Sequence, residues 1–517
     1  MAMIPPVRRY LFLLLLISTG TLFFRLGSLP LAGADEPRYA RIAQEMRQSG
    51  NWITPTLEAK PWLEKPPLYY WITAPFYSVF TDETAARTGN ALCALLTALA
   101  IFALGTRFRS RHAGFLGAAI LLTSLGFVGF GRSASTDIAF TCCLTLALSI
   151  LAAAFDKDIG IKVLAAYVFL GLAILAKGPV AVILAAGIGL LAWYVDERSV
   201  LPRRWRIVPG LIITAAVSIP WFWLAFSQNG YAFISTFVIN HNIARYLTDI
   251  HHHSQPFYYY VPVILGLIFP WTGWLLMLVK SPAGALRRWR EWDPRMVFLV
   301  CWFLFPILFF SLSGSKLAGY VLPSLPPLAL ILALRLDSQE GRLRPAVITH
   351  LVLSALMAFG TPIYFYIGYG GNWQTGIPVA AAILIPAAVA FFKGRKGNFA
   401  GAVRTTAIQG VLIVVALALF AFPVMSDYHS TRDIALLALQ VRKASEPILT
   451  YRYFHHTLHY YTGYQVTDRV ETPEGLVKYG NCLIVTNDRG LAGLSGVDYS
   501  LLGKEGDLSL VRVMGKQ

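Results

Sequence analysis

Apolar runs of about 20 residues recur along most of this chain, and they constrain its fold more than any other feature. Each run is long enough to cross the roughly 30 Å hydrocarbon core of a bilayer as a helix. The composition agrees, because 56% of the 517 residues are hydrophobic and only 14% are charged, against about 25% charged residues in soluble domains. One soluble core could not bury so many runs, so the sequence predicts a polytopic, all-α membrane protein.

We expect about thirteen transmembrane helices. The first follows Arg8 and Arg9, and we interpret it as an uncleaved span because no small-residue cleavage site follows it. The predicted spans are residues 9–28, 83–104, 113–131, 136–154, 162–176, 179–195, 207–226, 258–279, 297–312, 318–334, 346–368, 378–392 and 405–424.

Lysine and arginine residues concentrate in alternate loops, which indicates that these loops are cytoplasmic. This bias also explains the net charge of +17 without nucleic-acid binding. The basic residues that define this side include Arg107, Arg109, Arg111, Lys157, Arg203, Arg204, Arg206, Lys280, Arg287, Arg295, Arg335, Arg344, Lys393 and Arg404.

The remaining loops and the C-terminal tail fall on the opposite, periplasmic side. We predict a transmembrane domain at residues 1–424, with a long first periplasmic loop at 29–81, and a small periplasmic α/β domain at 425–517. In the tail, ILTYRY and NCLIVTN have the composition of strands, and TRDIALLALQVRKA has the pattern of an amphipathic helix.

The first periplasmic loop opens with a predicted interfacial helix, because apolar residues recur at i, i+3, i+4 and i+7 from Tyr39. Asp35 and Glu36 stand side by side at its start. These acids could be catalytic, or Asp35 could only cap the helix.

Further along this loop, Glu64 and Lys65 precede two prolines and a group of aromatic residues. Lys65 could bind an anion, or it could be an interfacial lysine that extends its ammonium group to water beside an aromatic belt.

Three more groups of polar residues share the periplasmic side. Arg132 and Asp137 flank the entry to the fourth span, and an acid at the end of a span is costly to bury. The others are His241 and Arg245 with the histidine run 251–253, and Lys316 with Tyr320. The histidine run could hold a metal ion, although such runs are more often solvated loops.

Taken together, these residues place cations and hydrogen-bond donors beside carboxylates at one membrane surface. Cations at that depth suit a lipid phosphate, and a carboxylate suits activation of an acceptor hydroxyl. The combination predicts an enzyme that transfers a group from a lipid phosphate to an acceptor.

The segments ADEPRYARIAQEM, KPWLEKPPLYYW, RSASTD, LAKGPV, HNIARY, HHHSQPFYYYVP and SKLAGYVLPSLPPLA resemble those of the bacterial aminoarabinose lipid A transferases. These are relatives of the protein O-mannosyltransferases within the GT-C glycosyltransferases. The resemblance implies a GT-C fold in the bacterial inner membrane and an inverting transfer of sugar from an undecaprenyl-phosphate donor. The acceptor it implies is lipid A or a related periplasmic lipid or glycan.

The resemblance also implies roles for individual residues. Asp35 matches the catalytic acid of the first loop, and Glu36 and Asp137 are further candidates for the catalytic group. The candidates for binding the donor phosphate are Lys65, Arg245, Lys316 and Tyr320. Glu64 and His241 match positions that hold a divalent metal ion in some relatives.

Two other functions remain open at this point. A protein O-mannosyltransferase would share the same motifs. A secondary transporter would also be polytopic, but it should have internal repeats and ionisable residues near the middle of its spans. We find no convincing repeat, and the predicted spans carry few charged residues.

Overall fold

The computed structural model describes residues 7–200, 202–244, 246, 255–278, 293–338, 343–444 and 446–514. Within these ranges, nine helices are long and apolar enough to cross a membrane. They are Asp82–Phe108, Thr136–Ala153, Gly160–Lys177, Ile207–Asn229, Pro294–Ser311, Ala318–Ser338, Leu343–Gly368, Trp373–Arg395 and Phe399–His429.

Two more spans are bent in the middle. Arg111–Thr123 continues as Leu125–Gly131 after a 70° bend, and Tyr260–Leu267 continues as Trp271–Leu278 after a 115° bend. Proline interrupts the second pair at Pro270 because it cannot donate a helical hydrogen bond. The two bends meet, since the amide of Leu125 donates to the carbonyl of Phe269 over 2.8 Å.

Two shorter helical segments complete the agreement with the predicted spans. Val7–Ser18 continues into Thr19–Phe23, and Val180–Val195 is apolar but only 16 residues long. Every predicted span therefore coincides with helix, and the predicted multi-pass helical fold is confirmed. The number of helices that actually cross the bilayer stays a prediction.

Ion pairs join the loops that were predicted to be cytoplasmic. Asp156 pairs with Arg107 at 3.0 Å and with Arg295 at 3.1 Å, and Asp337 pairs with Arg109 at 2.8 Å. These contacts bring four loops together at one end of the bundle. The predicted topology requires this, because it places the alternate basic loops on the same side of the membrane.

The first periplasmic loop carries a helix, Asp35–Ser49, and a two-stranded hairpin of β1 (Thr56–Leu57) and β2 (Lys60–Pro61). Shorter helical segments connect the larger elements. They are Leu68–Thr73, Ala74–Ser78, Glu197–Ser199, Pro202–Trp205, Tyr231–Phe233 and Ile234–Ala244.

The C-terminal tail forms a five-stranded sheet in the order β4-β3-β5-β7-β6. Strand β3 is parallel to β4 and β5, whereas β7 is antiparallel to β5 and β6. The strands are β3 (Ile448–Tyr451), β4 (Val466–Val470), β5 (Cys482–Asn487), β6 (Tyr499–Glu505) and β7 (Leu508–Val513). The helices of the tail are Arg432–Val441, His456–Tyr461, Pro473–Val477 and Asp488–Ala492.

The predicted α/β character of the tail is thus confirmed, and its predicted strands and amphipathic helix correspond to β3, β5 and Arg432–Val441. The last candidate span continues to His429, and the boundary at residues 424–425 stays a prediction.

Candidate active site

The helix Asp35–Ser49, which we call the acid helix, buries the face predicted from its apolar spacing. It ends at Gly50, whose φ of +68° favours glycine and whose amide donates to Met46. The interpretation of Asp35 as the helix cap is wrong. Ala34 precedes the helix, Asp35 is its first residue, and the structure has no side-chain capping bond there.

Asp35 instead lies at the surface. Its carboxylate accepts a hydrogen bond from Arg38 Nη2 over 2.6 Å, and 60% of its side chain is exposed. The acid is therefore held by one arginine and remains open to a substrate.

Glu36 has the opposite surroundings, because its carboxylate is buried and both of its oxygens are used. Oε1 accepts from Arg87 Nε at 3.0 Å and from the amide of Ala134 at 2.8 Å. Oε2 accepts from Arg87 Nη2 at 2.6 Å and from the amide of Ala32 at 3.0 Å. Burial alone would raise the pKa of Glu36, but Arg87 and the two amides outweigh it and lower that pKa below its usual value. This geometry favours a structural role for Glu36 over the catalytic one predicted for it.

Arg87 was missed in the sequence, although an arginine inside a predicted span is a signal for a buried polar site. It also donates to the carbonyls of Leu26 and Pro30. Arg87 therefore ties the end of the first span to the start of the acid helix.

Asp137 lies in the first turn of Thr136–Ala153 and pairs with Lys177. The ammonium group of Lys177 lies 5.0 Å from the centre of the Tyr320 ring, which is a cation–π distance. The structure thus joins two predicted site residues, Asp137 and Tyr320, through Lys177, a lysine of the motif LAKGPV to which the sequence analysis assigned no role.

Tyr39, on the buried face of the acid helix, lies among the predicted acids. Burial raises the pKa of its hydroxyl well above the usual value, and the negative charges of Asp35, Asp137 and Glu64 add to this effect while Arg38 opposes it. Three carboxylates from three separate elements are therefore close enough to act on one side chain.

Glu64 and His241 also come together, with 3.7 Å between Glu64 Oε1 and His241 Nε2. Lys65 follows Glu64 and is half-buried. Carboxylate and imidazole are both zinc ligands. Within the described ranges, no group of three or more histidine, cysteine or acidic side chains could hold a metal ion, so the described residues offer two ligands there.

Lys316 is buried, and its ammonium group donates to the carbonyl of Ser313 over 2.7 Å. The same turn contacts Tyr246, because the amide of Gly314 donates to the Tyr246 carbonyl at 2.9 Å. Arg245 itself and the histidine run 251–253 lie outside the described residues.

The C-terminal domain packs against the acid helix through His456–Tyr461, which we call the docking helix. The hydroxyl of Tyr461 accepts from the amide of Leu31 at 2.7 Å and donates to Glu83 at 2.9 Å. Gln44 of the acid helix donates to the hydroxyl of Tyr460 at 2.9 Å. Nothing in the local sequence of the tail predicted this contact.

Comparison with known proteins places the chain in context. Residues 64–223 match the family model described as dolichyl-phosphate-mannose-protein mannosyltransferase. An undecaprenyl phosphate-alpha-4-amino-4-deoxy-L-arabinose arabinosyl transferase of Photorhabdus laumondii is 32% identical over 59% of this chain and 56% of its own length. The second such transferase of Proteus mirabilis is 32% identical over 62% of this chain and 58% of its own.

The chain thus spans little more than half the length of the curated relatives that it matches. The crystal structure of ArnT from Cupriavidus metallidurans bound to undecaprenyl phosphate has a TM-score of 0.78 at 22% identity over 99% of both chains. The chain therefore shares the GT-C fold of this transferase. An Archaeoglobus fulgidus oligosaccharyltransferase shares the fold more distantly, with a TM-score of 0.52 at 11% identity over 99% of this chain and 74% of that one.

The shared fold and the long apolar helices make this a multi-pass membrane protein. The GT-C fold predicted from the motifs is confirmed. The roles of the individual site residues stay predictions.

Proposed function

We propose that this chain is an inverting glycosyltransferase that moves a sugar from an undecaprenyl-phosphate donor to a lipid acceptor at the periplasmic face. The sugar we propose is 4-amino-4-deoxy-L-arabinose and the acceptor is lipid A or a related lipid or glycan. The identity of the sugar is taken from the names of the two relatives described above.

The observation that carries this proposal is the grouping of carboxylates on the side predicted to be periplasmic, where Asp137 pairs with Lys177 beside the Tyr320 ring and Glu64 lies 3.7 Å from His241. These carboxylates lie at the same end of the bundle as the cations Lys65 and Lys316. In such a site the cations bind the anionic leaving group, and a carboxylate close by accepts a proton. Sugar transfer from a lipid phosphate needs both.

In the proposed step, the acceptor hydroxyl oxygen attacks the anomeric carbon from the face opposite the phosphate. The bond from that carbon to the phosphate oxygen breaks, and the lipid phosphate leaves with the electron pair. Lys65, Lys316 and Arg245 stabilise the charge that develops on the phosphate. Asp35, the exposed acid, takes the proton of the acceptor hydroxyl.

A divalent metal ion is part of the proposal in a limited sense. Glu64 and His241 would hold it, and the ion would offset negative charge on the donor phosphate. The described protein residues would supply two ligands, and further ligands would come from outside this pair.

Protein O-mannosylation is the second candidate, supported by the description of the family model that matches residues 64–223. The acceptor would then be a serine or threonine hydroxyl of a periplasmic protein. The same acid and the same phosphate site would serve it.

The direct test uses purified full-length protein with an undecaprenyl-phosphate aminoarabinose donor and lipid A as acceptor. We expect lipid A to gain the mass of the sugar in mass spectrometry. Comparison of lipid A and of periplasmic glycoproteins, with and without the gene, separates the two candidates. Modified proteins with unchanged lipid A would support mannosylation, and no transfer to either acceptor would contradict the proposal.

The Lys65→Ala variant tests the phosphate site. If Lys65 stabilises the leaving phosphate, its removal should lower turnover about 100-fold, as the loss of one oxyanion contact does. Lys60→Ala is a matched control, because Lys60 is an exposed lysine of the same loop and should keep normal turnover. Normal turnover in folded Lys65→Ala would return Lys65 to the role of an interfacial lysine.

A further inference from the structure

A cavity of about 270 Å³ lies at the end of the bundle predicted to be cytoplasmic, away from the candidate active site. Its volume is close to the roughly 300 Å³ at which small-molecule sites begin. It forms where Asp82–Phe108 and Ala318–Ser338 end and Pro294–Ser311 begins. The cavity therefore lies where three candidate spans meet the membrane surface.

The lining of this cavity is divided between apolar and basic side chains. Phe108, Met296, Leu299 and Leu334 form the apolar part. The polar part consists of Arg109, Arg295, Arg335, Asp293 and Ser338. Arginines outnumber aspartates three to one among the described lining residues, and Asp337 and Asp156 pair with Arg109 and Arg295 from just outside the lining. Guanidinium groups beside apolar side chains suit an amphiphile with an anionic group.

Arg109 is accessible from this cavity although it has an acidic partner. Asp337 accepts from Arg109 Nε at 2.8 Å, but 46% of the Arg109 side chain is exposed against 14% of Asp337. Among the described residues, the two terminal nitrogens of Arg109 have no hydrogen bond. An approaching anion would therefore reach the guanidinium group before the carboxylate.

Arg295, a second arginine of the lining, is held in place by three contacts. Its Nη1 atom pairs with Asp156 at 3.1 Å, its Nε atom lies 3.6 Å from Asp293, and its guanidinium carbon lies 5.7 Å from the centre of the Phe108 ring. These contacts order the side chain before a ligand binds, which lowers the entropic cost of binding.

We propose that this cavity binds the phosphate of an anionic lipid from the cytoplasmic leaflet. Guanidinium groups bind phosphate through paired N–H donors. Basic pockets between transmembrane helices on the cytoplasmic side are suited to anionic headgroups. The apolar lining favours a lipid over free phosphate, because a soluble anion would gain nothing from Phe108 or Leu299.

The test is native mass spectrometry of the full-length protein in detergent, with phosphatidylglycerol or the zwitterionic phosphatidylcholine added. We expect phosphatidylglycerol to be retained about tenfold more than phosphatidylcholine. The double change Arg109→Gln and Arg295→Gln should remove most of that preference, because each charge-assisted bond contributes about tenfold or more. Arg404→Gln is the matched control, since Arg404 is an exposed arginine of the same predicted side.

If the double variant does not fold, Arg109→Lys preserves the charge opposite Asp337 but cannot form paired bonds to phosphate, and it should still weaken lipid retention. Equal retention of the two lipids by the wild type would overturn the proposal. So would unchanged phosphatidylglycerol retention in the folded Arg109 variants, or binding of inorganic phosphate that phosphatidylglycerol cannot displace.

Discussion

At the scale of single residues, two neighbouring carboxylates at the start of the acid helix have opposite surroundings. Asp35 is mostly exposed and, among the described residues, is held by Arg38 alone, whereas Glu36 is mostly buried and accepts four hydrogen bonds. Adjacent helical positions point about 100° apart, so one acid faces the membrane surface while the other faces the protein. This difference separates a candidate for catalysis from a residue that maintains the structure.

The change Asp35→Asn removes the charge of the candidate base with little change in size. If Asp35 accepts the acceptor proton, transfer from the undecaprenyl-phosphate donor should fall about 100- to 10,000-fold, the usual contribution of a general base. Asp488→Asn is a matched control, because Asp488 also begins a helix and also pairs with a cation, Lys504, at 2.8 Å. Transfer at close to the wild-type rate by folded Asp35→Asn protein would exclude this role.

The change Glu36→Gln should mainly lower the stability of the fold. It leaves the buried Arg87 without its charged partner, and breaking a buried ion pair costs about 3–5 kcal/mol. We expect a lower melting temperature in detergent than for the wild type, and a smaller shift for Asp35→Asn, whose acid is exposed. An unchanged melting temperature for Glu36→Gln would contradict the structural role.

The lowered pKa of Glu36 also predicts how this stability depends on pH. The folded pKa lies below the ordinary value of 4.5, so the stabilisation is complete above that value and is lost as pH falls through the folded pKa. The melting temperature of the wild type should therefore fall more steeply between neutral pH and about pH 3 than the melting temperature of Glu36→Gln. Parallel curves would mean that Glu36 does not titrate with folding.

At the scale of secondary-structure elements, the acid helix has a different support on each side. Arg87 ties its start to the first two candidate spans, and the docking helix covers it from the C-terminal domain. Tyr460 packs in the same buried cluster as Tyr39, Tyr69 and Tyr70. We therefore expect the orientation of Asp35 to depend on a segment more than 400 residues away in the chain, because that segment bonds to Leu31 and Gln44 on either side of it.

Removal of one hydroxyl tests this dependence. Tyr461→Phe loses the hydrogen bonds to Leu31 and Glu83. A hydrogen bond of this kind contributes about 1 kcal/mol to stability, and the bond to the charged Glu83 contributes somewhat more. We expect faster hydrogen exchange in residues 29–36 and lower turnover, with undecaprenyl-phosphate binding nearly unchanged.

Tyr479→Phe is the control for this experiment. It removes a hydroxyl of the same domain that bonds to Asp468, so it should leave hydrogen exchange in the first loop unchanged. Equal exchange in that loop for Tyr461→Phe and for the wild type would show that the docking helix does not hold it.

At the scale of the whole molecule, the basic loops and the candidate site lie at opposite ends of the bundle. Reporter fusions after Arg111, Arg206 and Arg290 should therefore indicate the cytoplasm, because the positive-inside rule assigns those loops to that side. Fusions after Asn51, Asn229 and the C-terminus should indicate the periplasm. A cytoplasmic C-terminus would contradict the orientation and, with it, a periplasmic active site.

The sequence alone was sufficient for the membrane-spanning helices, the grouping of loops into two sides, the acid helix and the α/β character of the tail. These features depend on local patterns of apolar and charged residues, which are independent of the partners that a helix finds. The motifs were also sufficient for the GT-C fold, whereas the roles of Asp35, Asp137 and Glu64 stay predictions.

Only the tertiary structure decided which of these acids are committed to other residues. The partners of Glu36 and Asp137, namely Arg87 and Lys177, lie on other helices, and the contact of Tyr461 with the first loop joins the two ends of the chain. The physical reason is that the residues packed against a carboxylate decide whether it pairs with a cation of the protein or stays accessible to a substrate. That packing arises when distant segments fold together, so no local pattern contains it.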